Sequence, residues 1–376
     1  MLCGCNSQQL TINDGSDNSS DEASDFAPDS SQIGGMVRRL GRSVSSGEGI
    51  WLSWSNSGIE FSFSGTEASA VIYSDSGFTG DSSVLMGVFI DGEAECSLRF
   101  TVGSEKSEYR LCSGLENSVH TVKLLKLSEA LYGAACVESV SCDGGNISAT
   151  KERELYFEFI GDSVTCGYGT LAESSRSGFA VSEEDASKTA GYILADGYNA
   201  DSSFICATGF GVSTDSIGET SNVIPNVYEY TAPLFELRHR DNSALWGFER
   251  QADVIFINLG YDEQQVAVSS QTATSRFIER YISFVKTVRE KNPSAEILLL
   301  CGPMSYDLAD AVAKVYSELL KTDRDVHYYR FGFSCAAIYS GISAGHPSAL
   351  SNQKMAAELE KCLESMGIKK ESNQMS

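Results

Sequence analysis

What the chain lacks narrows its function first. It contains no run of eighteen apolar residues, so no transmembrane helix is expected. Basic residues are scarce: 28 Lys and Arg stand against 51 Asp and Glu, a balance of 28 − 51 = −23. A field that negative repels phosphate backbones and anionic membranes. It argues against nucleic acid as a partner and is compatible with a neutral substrate, neutral carbohydrate among them. The 11 cysteines form no Cys-x-x-Cys pair, and no cluster of histidines accompanies them, so no zinc site is expected. No internal repeat is visible. The odd cysteine count leaves at least one thiol unpaired within the chain. Most cysteines sit in apolar runs, Cys206, Cys301 and Cys335 among them, where a reduced thiol behaves as a small hydrophobe. A disulfide between two of Cys96, Cys112, Cys136 and Cys142 is left open.

The 376 residues, 42% of them hydrophobic, suffice for two domains and a sizeable core. Residues 1–35 read as a disordered acidic linker. Asp14, Asp17, Asp21, Glu22, Asp25 and Asp29 have no basic residue to offset them, and so polar a segment buries too little to overcome its ordering entropy. At its head, Leu2-Cys3-Gly4-Cys5 reads in one of two ways. It is the end of a bacterial lipoprotein signal with Cys5 as the lipidated residue, its positive and apolar regions missing, or it is an arbitrary start. An acidic tether after a cysteine favours a secreted or surface-anchored protein.

Residues 36–150 have β character. Trp51 to Trp54 and Ile59 to Phe63 alternate apolar and polar with period two, and Ala70–Tyr73, Val84–Ile90 and His120–Leu127 read as further strands. Turn residues such as Asp91-Gly92 and Asp143-Gly144-Gly145 separate them. Regularly spaced short strands predict a β-sandwich or jelly roll. Trp51 and Trp54, three apart in a β segment, are expected on opposite faces, one in the core and the other a candidate for sugar stacking, with core or partial burial the favoured reading of each. Trp246 and Phe248 read as packing.

From residue 151 to 368 strand-like and helical runs alternate, and residues 369–376 read as a tail. Leu155–Ile160, Ser203–Cys206, Val254–Leu259 and Ile297–Cys301 are expected to be buried parallel strands. Phe277, Tyr281, Phe284, Val285 and Val288 fall on one helical face, and Leu350, Met355, Leu359 and Leu363 roughly do so near the end. This alternation predicts a three-layer α/β/α domain with its active site at the C-terminal ends of the strands. Ser163, Gly209 and Asp262 each follow a predicted strand, which puts them on that rim.

The segment Phe159-Ile160-Gly161-Asp162-Ser163 through Gly169 carries the chemistry. A serine on the turn from a strand to a helix can expose its hydroxyl beside backbone N–H groups that stabilise an oxyanion. Gly, Asp and Ser are also ordinary turn formers. Asp162 reads as a turn or cap residue. Such a serine needs a base, and the chain has 4 histidines: His120, His239, His327 and His346. His120 lies in an alternating strand and reads as structural. His239 sits between Arg238 and Arg240 on a solvated helix, and His327 precedes Tyr328-Tyr329 in an edge strand. His346, in Gly345-His346-Pro347-Ser348 before the final helix, is the candidate base.

Gly161-Asp162-Ser163 and His346-Pro347-Ser348 resemble the first and last blocks of SGNH hydrolases. From Leu40 onward the chain resembles carbohydrate esterase family two. The resemblance runs through Leu40-Gly41-Arg42, Ser57 to Phe61, Val88 to Gly92 and His120 to Lys126 with Glu129. It continues through Phe157 to Gly169, then Pro225, Tyr228, Trp246 and Phe248, then Val254 to Gly260, and ends at His346-Pro347-Ser348. It implies an N-terminal jelly roll fused to an SGNH (flavodoxin-like) hydrolase domain. It also implies removal of O-acetyl groups from plant polysaccharides such as xylan and glucomannan, with no metal and no cofactor. Ser163 would be the nucleophile, His346 the base, and Gly209 a backbone donor to the oxyanion.

Two departures stand out. The common triad aspartate, three residues before the histidine, is here Ser343, followed by Ala344. A backbone carbonyl or a remote carboxylate must then orient His346. The family's Asn-Leu-Gly-Thr-Asn-Asp reads here Asn258-Leu259-Gly260-Tyr261-Asp262-Glu263, so the oxyanion's amide donor is replaced by Asp262 or displaced by a one-residue deletion. An ionised carboxylate cannot donate a hydrogen bond. Tyr261 could offer a hydroxyl instead. Two rivals follow: a carbohydrate-binding protein that has lost its chemistry, and a lipase or thioesterase. The acidic field and the absence of a long apolar lid disfavour the second.

Overall fold

The computed structural model describes residues 33–75, 77, 84–172, 179–235, 244–335 and 345–370. Cys5 and nearly all of the acidic linker, His239, Ser343, Ala344 and the last six residues lie outside them.

The alternating runs of the first half form two antiparallel sheets. One is ordered Arg38–Leu40 (β1), Gly58–Gly65 (β4), Ser118–Lys126 (β9), Val84–Ile90 (β6) and Leu98–Val102 (β7), with Asn146–Ala149 (β11) also paired to β4. The other is ordered Val44–Ser46 (β2), Gly49–Leu52 (β3), Ala135–Cys142 (β10), Ala68–Ser74 (β5) and Ser107–Cys112 (β8). Period-two alternation sends Ile59, Phe61 and Phe63 of β4, Val122 and Leu124 of β9, Ile72 of β5 and Val137 of β10 into one shared core. Cys96, Cys112, Cys136 and Cys142 are all free thiols, so the disulfide left open by the sequence is not formed.

The second half is a parallel sheet of Tyr156–Gly161 (β12), Asp201–Cys206 (β13), Val254–Asn258 (β14), Glu296–Cys301 (β15) and Val326–Arg330 (β16), ordered β13-β12-β14-β15-β16. His327 does sit in the edge strand β16, with Nε2 2.6 Å from Glu296 Oε2 of β15. The helices are Ser163–Cys166 (α1), Ala190–Gly197 (α2), Gln264–Ala267 (α3), Gln271–Lys291 (α4), Ala309–Leu319 (α5) and Ala349–Ser365 (α6). Ile160, Ile205, Ile257 and Leu299 leave one face of the sheet toward α4 and α5. Phe159, Phe204, Phe256 and Leu300 leave the other toward α2 and α6. Helices therefore cover both faces, as a sheet buried on two sides requires. In α4 the buried residues are Phe277, Tyr281, Phe284, Val285 and Val288, the face that the sequence marks.

Two sequence expectations fail for geometric reasons. Leu350 is 55% exposed. At 100° per residue it points well away from Met355, Leu359 and Leu363, and Ser351 and Asn352 take the buried first-turn positions instead. Trp51 and Trp54 do not share a strand, because β3 ends at Leu52. Both are buried. Trp51 packs on Phe235 with ring centroids 4.7 Å apart, and Trp54 enters the hydrolase core and donates from Nε1 to the Thr231 carbonyl at 2.7 Å. The expected burial of each holds, while their placement on opposite faces of one strand does not, and neither presents an open stacking face.

The two halves are docked through buried polar contacts. Glu158, in the middle of the interior strand β12, is 2% exposed and meets the fully buried Arg42 at 3.1 Å. Arg42 also donates to the Tyr230 carbonyl at 2.9 Å, while the rings of Trp246 and Phe248 lie 5.4 and 5.0 Å from its guanidinium carbon. Trp246 and Phe248 do pack, then, and what they cover is a buried ion pair that would be costly if either partner were missing.

Candidate active site

Ser163 opens α1 directly after the interior strand β12 and is 1% exposed. Asp162 caps that single turn, its Oδ1 accepting from Val164 N–H at 3.0 Å. Gly167 ends the turn at φ 95°, and any Cβ there would lie 2.9 Å from the Asp185 carbonyl oxygen. The tight strand–turn–helix therefore needs a cap before the serine and a glycine after it.

His346 lies on the loop entering α6, with Nε2 2.8 Å from Ser163 Oγ. The loop is held from several sides. Ala349 N–H donates to the Thr170 carbonyl at 3.0 Å, Ser348 Oγ accepts from Ser351 N–H, and Asn352 Oδ1 accepts from Ala190 N–H of α2 at 2.9 Å. Tyr168 lies against the imidazole with centroids 4.4 Å apart, and Tyr261 approaches it edge-on at 6.3 Å. A serine hydroxyl hydrogen-bonded to a held imidazole is the arrangement general-base activation needs.

Gly209 follows β13, in the turn closed by Phe210 N–H on the Ala207 carbonyl at 3.2 Å. Its φ is 84°, and a Cβ there would meet no heavy atom within 4 Å, so the backbone is open to an approaching substrate. Two buried carboxyls pin this loop at its ends. Glu129 Oε2 accepts from Thr208 N–H at 2.8 Å, and Glu263 Oε1 accepts from Val212 N–H at 2.7 Å and Ser213 N–H at 3.3 Å.

Tyr261 and Asp262 follow β14. Because β13 and β14 flank β12, the Gly209 loop and the Asp262 loop stand on either side of Ser163. Asp262 Oδ2 is buried and has no hydrogen-bond partner among the described residues. Burial, then the proximity of Asp162, Glu263, Glu129 and Asp215, raises its carboxyl well above the usual range. Burial also lifts Asp162 to about 7, with Glu263 adding to the effect. Glu263 is lifted to about 7 by burial against the pull of its backbone donors. Burial thus raises all three carboxyls on this rim, Asp162 and Glu263 to about 7.

Of the other histidines, His120 serves the sandwich, its Nδ1 2.7 Å from Asp91 Oδ2 and its Nε2 2.8 Å from the Glu116 carbonyl. The position three before His346 lies outside the described residues. Sequence reasoning did not assign roles to Glu129, Glu263 or Tyr168. The only signal for the glutamates was an acid placed beside apolar strand ends, and their partners are 79 and 51 residues away.

Residues 40–150 match the family described as carbohydrate esterase 2 N-terminal, and residues 157–359 match the GDSL-like lipase/acylhydrolase family. The chain is 30% identical over 316 residues to a cellulase/esterase, CelE, of Acetivibrio thermocellus, an overlap of 82% of this chain but 36% of that relative. The chain thus spans about a third of that relative's length. It is 26% identical over 257 residues to an acetylxylan esterase / glucomannan deacetylase of Cellvibrio japonicus, covering 63% of this chain and 67% of the relative. A solved family two carbohydrate esterase from Clostridium thermocellum, in complex with cellohexaose, superposes with a TM-score of 0.79 at 28% identity, over 89% of this chain and 100% of that one. An acetyl xylan esterase from the rumen bacterium Butyrivibrio proteoclasticus shares the fold at a TM-score of 0.80 and 19% identity, over 89% and 97% of the two chains. The chain therefore belongs to the GDSL-like lipase/acylhydrolase family of carboxylic ester hydrolases, and ahead of that domain it carries the N-terminal domain of carbohydrate esterase family two.

Proposed function

We propose that this protein is an esterase that removes O-acetyl groups from plant polysaccharides or oligosaccharides of the xylan and glucomannan kind, outside the cell. The observation that carries the reading is the 2.8 Å contact of His346 Nε2 with Ser163 Oγ, beside the open backbone at Gly209. Ser163 Oγ attacks the acetyl carbonyl carbon while His346 takes the hydroxyl proton. The tetrahedral oxyanion is met by the Gly209 N–H. As the intermediate collapses, His346 passes its proton to the departing sugar oxygen, leaving an acetyl-serine. Water, deprotonated by His346, then releases acetate and restores the serine.

Asp262 supplies the second oxyanion donor in this reading. As a carboxylate it would repel the developing charge. Held protonated by burial and by its acidic neighbours, it offers an O–H where an amide would otherwise serve. Tyr261, edge-on to His346, lines the substrate side of the base.

The same Asp262 motivates a second reading, a carbohydrate-binding protein on this scaffold whose chemistry is lost because the acid ionises. Acetate release from acetylated xylan and glucomannan, compared with Ser163→Ala, separates the two. Release that disappears in the variant is expected. No release at protein concentrations able to reveal a catalyst about a thousandfold impaired overturns the esterase reading.

A further inference from the structure

Glu129 belongs to the sandwich, three residues past the end of β9, yet it is fully buried in the rim of the hydrolase domain. Its Oε2 accepts from Thr208 N–H at 2.8 Å and from the Cys166 thiol at 3.6 Å. Thr208 precedes Gly209, and Cys166 closes the helix that Ser163 opens. One carboxyl oxygen therefore touches both the oxyanion loop and the nucleophile's own turn.

The backbone that carries this carboxyl is itself anchored. The Glu129 N–H donates to Glu184 Oε1 at 3.0 Å, and the Glu129 carbonyl accepts from the buried Lys126 Nζ at 2.9 Å. Nearby, Ala186 N–H donates to the Leu127 carbonyl at 2.9 Å and Asn56 Nδ2 donates to the Ala186 carbonyl at 2.9 Å, so the sandwich edge is bonded to the hydrolase domain through both backbone groups of Ala186 as well. At the other end of the loop Glu263 holds Val212 and Ser213 from within the hydrolase domain. The segment 208–213 is thus clamped at one end by each half of the molecule.

We propose that Glu129 is a positioning residue for ester hydrolysis: through it the sandwich sets the Gly209 N–H at its working distance from Ser163. The sandwich then contributes to the chemical step, whether or not it also binds sugar. The inference rests on the esterase reading above. An acceptor that fixes the residue next to an oxyanion donor controls where that donor points, and an error of about 1 Å in such a position costs on the order of 10²-fold.

The test uses the full chain with Glu129→Gln, which keeps an acceptor oxygen, and Glu129→Met, which keeps the length and loses the acceptor. Hydrolysis of p-nitrophenyl acetate is measured per active serine, counted by titration to completion with a fluorophosphonate. Glu129→Gln is expected to stay within about fivefold of wild type. Glu129→Met is expected to lose ~10²-fold in kcat with KM unchanged, a split that loss of folded protein cannot produce once serines are counted. A folded Glu129→Met with kcat within about threefold of wild type overturns the proposal, as does a Gln variant that falls as far as the Met variant. Should the Met variant not fold, Glu129→Asp withdraws the acceptor by one methylene and must show the same loss in kcat; wild-type turnover there overturns the proposal equally. Wild-type activity that Ser163→Ala does not remove marks failure of the esterase reading itself, a result distinct from any change at Glu129.

Discussion

Replacing Asp262 by Asn tests the least ordinary feature of the site. Asn has nearly the same shape and donates through its amide at every pH, whereas Asp262 donates only while protonated. Burial and the carboxyls of Asp162, Glu263, Glu129 and Asp215 hold its proton to well above the usual range. Below that raised value both forms have a donor, and Asp262→Asn should match wild type within a few-fold. Above it the wild type loses one oxyanion donor, which typically costs ~10²–10³ in turnover, or roughly 3–4 kcal/mol. It also gains a negative charge beside the developing oxyanion. The ratio of variant to wild-type kcat/KM should therefore climb from about one toward ~10²–10³, with a slope of about tenfold per pH unit once the acid ionises.

The assay is kcat/KM for p-nitrophenyl acetate, with acetate release from acetylated xylan as a check, from about pH 5 to about pH 9. The activated phenol needs no proton from His346, so the alkaline limb reports the oxyanion side of the site. His346 must be neutral to accept the Ser163 proton, and its limb on the acid side should be common to both proteins. Two results refute the reasoning. One is an alkaline limb identical in both proteins, which would mean that Asp262 ionisation does not touch the reaction. The other is a large loss of activity in Asp262→Asn at acid pH, which would mean that the carboxyl acts by charge.

Two further outcomes concern stability. Glu263, lifted from an ordinary 4.5 to about 7, binds more protons folded than unfolded between those values, so its contribution is greatest below the lower one and is lost as pH rises through the upper, by about 3 kcal/mol. Glu263→Gln keeps the acceptor for Val212 and Ser213 and removes this loss, so its urea midpoint should exceed that of wild type at about pH 8 and not at about pH 4; midpoints that run in parallel across this range contradict the argument. Trp54→Ala empties a site 1% exposed, in which a sandwich residue fills the hydrolase core, and should cost ~3–5 kcal/mol in denaturant unfolding, whereas a loss below about 1 kcal/mol would mean that the two halves do not depend on this contact.

What could be read from the sequence was local and periodic. The strands at 156, 201, 254 and 296 announced themselves as apolar runs, and the buried face of α4 by its 3.6-residue spacing, because one side of each element must meet the core. Leu350 misled because a helix's first turn is partly capping structure, and there Ser351 and Asn352 are buried for their hydrogen bonds. The expectation that Trp51 and Trp54 face opposite ways failed because the strand ended two residues before Trp54, and a period has no meaning beyond the element that carries it. Ser163 and His346 were legible through short patterns, but their 2.8 Å contact spans 183 residues and no pattern contains it.

The same limit explains why residues 260–263 looked like a defect. A sequence names a side chain and leaves its charge state to the fold. Asp at this position subtracts a donor only if it is ionised, and ionisation is governed by burial and by Asp162, Glu263, Glu129 and Asp215; strand order brings Asp162 and Asp215 near it, and the docking of the sandwich brings Glu129. Glu263, next in the chain, turns into the protein and holds the loop of Gly209, so adjacent carboxyls serve different contacts. In the proposed mechanism, a strongly acidic chain with Asp262 at its oxyanion stays an efficient esterase on one condition: the fold must keep Asp262 protonated. That condition makes the alkaline limb of Asp262 the measurement that separates an intact oxyanion site from an impaired one, once Ser163→Ala has shown that the serine carries the reaction.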